Sequence, residues 1–170
     1  MNNAFTSVCA LFVGLALSGA AVAQHHASGA AAQQAAGPRS STVTASDCWI
    51  RQMPPPTASG GFFVLHNGGT QDAVLTAAHS PDYGMVMLHQ TTQEDGISKM
   101  SMVEQVAVTA GGQLDFKPGS YHVMLEEPRA GLHIGDHADL DLILKDGTTV
   151  RAVCELKSPK SAPPMAGHAH

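Results

Sequence analysis

The sequence predicts an all-β sandwich or barrel, and three observations carry that reading. Short runs rich in β-branched and aromatic residues recur at close intervals, separated by turn residues. No long window repeats its apolar residues at the helical period. One segment has the pattern of a hairpin: Leu140, Leu142 and Leu144 alternate with Asp139 and Asp141, and Asp146-Gly147 then turns the chain. Val150, Ala152, Cys154 and Leu156 follow, alternating with Arg151 and Glu155.

Taken in order, residues 1–23 read as a signal peptide. An apolar run over 8–17 is followed by small residues ending in Ala21-Val22-Ala23, a cleavage pattern. The run is shorter than the roughly 20 residues that a membrane span needs. Cys9 would be lost on cleavage, and no Cys follows the cleavage sequence, so neither a membrane anchor nor a lipid anchor is expected. Residues 24–41 are rich in Ala, Gln, Ser and Gly without apolar periodicity, which predicts a flexible arm. The folded domain is expected over 42–157. In it, Phe62 to His66 leads into Asn67-Gly68-Gly69, and Val106 to Thr109 leads through Gly111-Gly112 to Leu114 and Phe116, two strand-turn pairs. Residues 158–170 hold Pro159, Pro163 and Pro164 and form a second tail. A mature chain cut from 170 residues is enough for one core, so a single domain is expected.

Charged residues make up 14% of the chain and the formal net charge is -5, which excludes the basic surface that nucleic acid or an anionic membrane would require. No Ser, His and Asp arrangement or catalytic dyad stands out, so an enzyme is not expected. The excess is in 10 His and 8 Met, borderline and soft donors that direct attention to metals. In the mature chain Cys48 and Cys154 form an even pair, most simply a disulfide in an oxidising compartment, joining the first strand to the last.

Residues two apart on a strand share a face, so Met85, Met87 and His89 project together, as do Met100 with Met102 and His122 with Met124. Three strands thus each offer thioether or imidazole donors. Both donor types are neutral and leave the full charge on the ion, which suits monovalent Cu(I) better than a dication. Zinc sites rely on thiolate, imidazole and carboxylate instead. Thiolates outside the cytosol tend to oxidise, whereas thioethers resist. Met53 and Trp49 read as packing residues, and His66, His79, His133 and His137 lack ligand spacing.

His89, ten residues, Met100, twenty-one residues, His122, Val123 and Met124 reproduce the signature of the PCuAC periplasmic copper chaperones. The surroundings resemble that family as well: Trp49-Ile50-Arg51, Asn67 before a Gly turn, Ala110-Gly111-Gly112, and Pro118-Gly119-Ser120-Tyr121 leading into His122. The resemblance covers about 48–153. It implies a cupredoxin-like Greek-key β-sandwich or barrel with an exposed Cu(I) site formed by His89, Met100, His122 and Met124. It also implies a periplasmic location and delivery to the CuA centre of cytochrome c oxidase, directly or through another copper chaperone. One departure is visible: Ser101-Met102 stands where many members have Arg-Pro, which makes Met102 an auxiliary ligand candidate.

The tails offer further donors. Met165, His168 and His170 resemble a Met/His-rich extension able to hold Cu(II), and His26 would be third in the mature chain, where a free amine and His chelate Cu(II). A monomer is expected. Two alternatives share the copper: a storage or resistance protein with the same ligands, and a blue-copper electron carrier, which would need Cys154 as its thiolate ligand.

Overall fold

The computed structural model describes residues 37–160, which contain ten strands and no helix. The strands are β1 (Val43–Arg51), β2 (Ser59–Asn67), β3 (Ala73–His79), β4 (Tyr83–Glu94) and β5 (Ile97–Met102). They continue as β6 (Val106–Val108), β7 (Gln113–Phe116), β8 (Tyr121–Pro128), β9 (His137–Leu144) and β10 (Thr149–Lys157). They join in the order β5-β4-β8-β2-β1-β10-β9-β3-β6, with β7 also paired to β2. Strand β2 changes partner midway, pairing β8 through Ser59–Gly61 and β7 through Phe63–His66. All named pairs are antiparallel except β1 with β10. The inward side chains, among them Ile50, Phe63, Leu65, Leu75, Leu125 and Leu140, form one core.

The predicted hairpin is β9–β10, with Leu142 opposite Val150, Leu140 opposite Ala152 and Ala138 opposite Cys154. All six side chains are buried, and Gly147 supplies the positive φ of 83° that the turn requires. On the other face Asp141 is buried too, but paired: Arg151 donates to both of its carboxylate oxygens at 2.9 Å.

Two details of the chain path go beyond the sequence pattern. The segment from Val106 to Phe116 is strand, turn and strand as expected, and its two strands pair elsewhere, β6 with β3 and β7 with β2. The turn instead carries the chain between different partners. Asn67 holds it in place, its side-chain amide donating to the carbonyls of Gln71 at 2.8 Å and Val108 at 3.0 Å. The arm expected over 24–41 also ends earlier than composition suggests. Thr149 N–H donates to the Pro38 carbonyl at 2.8 Å, and Ser40 N–H to the Thr149 carbonyl at 3.0 Å. Backbone groups of β10 take up residues whose side chains give no strand signal. The signal-peptide segment lies outside the described residues, as do His26, Met165, His168 and His170.

A bulge in β1 decides which residues reach which face. Ser46 is opposite Val64 and Trp49 opposite Phe62, so three steps on β1 match two on β2, and Asp47 takes a φ of 53° there. Before the bulge Val43 and Ala45 face the core; after it Cys48 and Ile50 do. The change of parity turns Cys48 toward Cys154, to which it is disulfide-bonded across 106 positions of sequence. It also turns Trp49 and Arg51 outward.

Candidate metal centre

The three strands that carry the His and Met pairs are neighbours, β5-β4-β8. Strands β4 and β5 are joined by Asp95-Gly96, both at positive φ (51° and 78°), the backbone shape of a tight hairpin. Across the three strands His89 is opposite Met102 on one side and His122 on the other. Thr91 is opposite Met100, Met87 opposite Met124, and Met124 opposite Gly60 of β2. Directly paired residues share a face, so the four motif residues all lie on the outer side. Leu88, Val123 and Leu125, which alternate with them, are buried in the core.

His122 is 8% exposed although it faces outward, because the Phe62 ring stands 6.2 Å away, centroid to centroid, with Trp49 at 4.5 Å beyond it. Its Nδ1 is 3.0 Å from the Ser120 carbonyl. A carbonyl only accepts, so Nδ1 carries the proton and Nε2 keeps its lone pair for a metal. The His89 ring is 5.9 Å from that of His122, and its Nδ1 is enclosed without a hydrogen-bond partner among the described residues. Burial lowers the His89 pKa below 6.5, and His122 lowers it further against the opposing pull of Glu126. A lowered pKa favours the neutral imidazole, the form able to donate to a metal.

A groove of about 320 Å³ opens on this face, lined by Arg51, Phe62, Thr91, Met100, His122 and Met124 among others. Three of the four motif residues line it; His89 does not, and stands beside His122 on the next strand. The Arg51 guanidinium packs over Trp49 and Phe62, 5.6 and 5.4 Å from their centroids. It makes no ion pair among the described residues. A free positive charge here disfavours a dication more than a monocation. A larger cavity, about 470 Å³, opens elsewhere between Thr42, Gln71, Asp72 and Lys145. No His, Met or Cys lines it, so donor chemistry favours the smaller groove.

Met100 and Met102 are both exposed, at 56% and 68%, but only Met100 lines the groove. Among the described residues no three His, Cys, Asp or Glu side chains cluster as a metal site. The donors brought together are imidazoles and thioethers. The blue-copper alternative is overturned, since Cys154 is fully buried and held in the disulfide. Arg51, Phe62 and Thr91 carry no ligand signal in the sequence, where Arg51 stands out only within Trp49-Ile50-Arg51 and Phe62 only as a strand residue. Thr91 was reachable as the next same-face residue after His89, whereas the other two arrive only through the β1–β2 and β2–β8 pairings.

Fold and site together define an all-β, cupredoxin-like domain with a face of imidazole and thioether donors. The chain belongs to the family described as "Putative lipoprotein LpqE-like", matched over residues 43–155 and of the PCuAC type. Curated relatives include "Uncharacterized protein RP573" of Rickettsia prowazekii, 33% identical over 88 residues, 51% of this chain and 49% of that protein. Another is "Putative lipoprotein Lxx21020" of Leifsonia xyli, 30% identical over 84 residues, 49% of this chain and 51% of that one. The chain thus matches about half the length of each. Among solved structures, the copper-bound PCuAC domain from PmoF2 superposes with a TM-score of 0.57 at 16% identity, covering 69% of this chain and 94% of that domain. CuI-DR1885 from Deinococcus radiodurans gives 0.54 at 25% identity, covering 78% and 85%.

Proposed function

We propose that this chain is an exported, periplasmic Cu(I) carrier that holds the ion through His89, Met100, His122 and Met124 and delivers it by ligand exchange to a copper-accepting protein. The acceptor in this reading is the CuA centre of cytochrome c oxidase or a chaperone that serves it. The observation that carries the proposal is the placement of all four donors on one outer face of β5-β4-β8, with the His122 tautomer set for Nε2 donation. The copper named in the titles of the PmoF2 and DR1885 structures supports the cargo, and the lipoprotein description of the family supports export.

Neutral ligands suit transfer. An acceptor's donors replace them one at a time, and no thiolate has to be reprotonated as the ion departs. Copper is cargo here, so the protein's part is to bind, orient and release. The test is an anaerobic Cu(I) titration against a competing chelator, with wild type beside His122→Ala/Met124→Ala. One tight, colourless site in wild type, weakened at least tenfold in the double variant, is the expected result. Equal binding in both would place the metal elsewhere, and the reading would fall.

A further inference from the structure

Two thioethers outside the four-residue set stand next to it. Met102 is directly opposite His89 across β4–β5, and Met87 is directly opposite Met124 across β4–β8, two residues along the strand from His89. Both share the outer face with the motif residues, yet neither lines the groove. On the strands either side of His89, Met100 and Met124 line the groove, which Met53 also borders, whereas Met87 and Met102 lie off it. Filling gaps in a core is the ordinary use of Met. Met102, 68% exposed on an edge strand, fills none.

We propose that Met87 and Met102, together with His89, form an outer Cu(I) station through which the ion leaves the four-residue site. The proposal rests on the Cu(I)-carrier reading above. Side chains directly opposite on paired strands have Cβ atoms about 5 Å apart, and diagonal ones about 7–8 Å, within joint reach of flexible Met side chains and one imidazole. His89 is the shared ligand. As a Cu–S bond forms to Met102 or Met87, a bond to a groove ligand breaks; copper stays Cu(I), and no electron or proton moves. Met102, 68% exposed on the edge strand, is open to an incoming acceptor.

The test uses the Cu(I)-loaded full chain and bicinchoninate as acceptor, following colour development by stopped flow in wild type, Met87→Leu/Met102→Leu and His122→Ala/Met124→Ala. Leucine keeps the side-chain volume and removes the sulfur. The expected result is that Met87→Leu/Met102→Leu holds one Cu(I) with affinity within about threefold of wild type but transfers it roughly tenfold more slowly. Transfer at the wild-type rate overturns the station, as does a tenfold or greater loss of affinity, which would put these thioethers in the tight site itself. Failure of the underlying reading looks different: His122→Ala/Met124→Ala would then bind Cu(I) as tightly as wild type.

Discussion

At His122 a single hydrogen bond decides which nitrogen is left for a metal. The Ser120 carbonyl takes the Nδ1 proton, and Nε2 remains a donor. At His89 no such bond is present among the described residues, and the neutral form is favoured by burial first and by the neighbouring imidazole second. The sign of the pH effect follows. A folded pKa below 6.5 means that the unfolded chain binds the proton more readily, so stability from this group is present above pH 6.5. It is lost as pH falls through the lowered folded value. Protons compete with copper at the same ring, so the His89 share of Cu(I) affinity should be lost at lower pH than an ordinary imidazole's would be. NMR titration of the His89 ring in apoprotein checks the premise; a midpoint at or above 6.5 would contradict it.

Among the elements, β9–β10 was legible because its apolar period of two is unbroken from Leu140 to Leu144 and from Val150 to Leu156, with an Asp-Gly turn between. The β4–β5 hairpin has the same turn signature at Asp95-Gly96, but its side chains on both faces are largely exposed or half-buried, so alternation gives no clear phase. Strand β1 hid its geometry altogether. Nothing in its composition marks Asp47 as a bulge residue, although one extra residue there turns Cys48 inward and Trp49 and Arg51 outward. Deleting Asp47 should remove the bulge and keep those faces, because Cys48 would then follow Ser46 in plain alternation, opposite Phe63. Thiol counting on the deletion variant should then find no free thiol, and finding Cys48 and Cys154 free would show that the parity change at Asp47 does not set the pairing.

For the whole molecule, the linear pattern revealed the fold class and the ligand spacing, since β pairing brings together strands that each carry a same-face pair. It did not reveal the partners of β6 and β7, the capture of residues 38–40 by Thr149, or Arg51 in the groove, because those depend on contacts between segments far apart in sequence. The Cys48–Cys154 bond is one long-range contact that was legible, and it closes 106 positions. Replacing both with Ala should lower unfolding stability by about 2–5 kcal/mol, much of it through the freer unfolded chain. Denaturant midpoints measure this, and a change under about 0.5 kcal/mol would mean that strand pairing alone constrains these ends.

The donor set itself is read most directly by X-ray absorption at the copper edge of anaerobically loaded protein. The spectrum should show Cu(I) with two imidazole nitrogens and two thioether sulfurs, and in His122→Ala/Met124→Ala one scatterer of each kind should disappear. A first shell of nitrogen and oxygen alone, or one unchanged in that variant, would contradict a site built from His89, Met100, His122 and Met124.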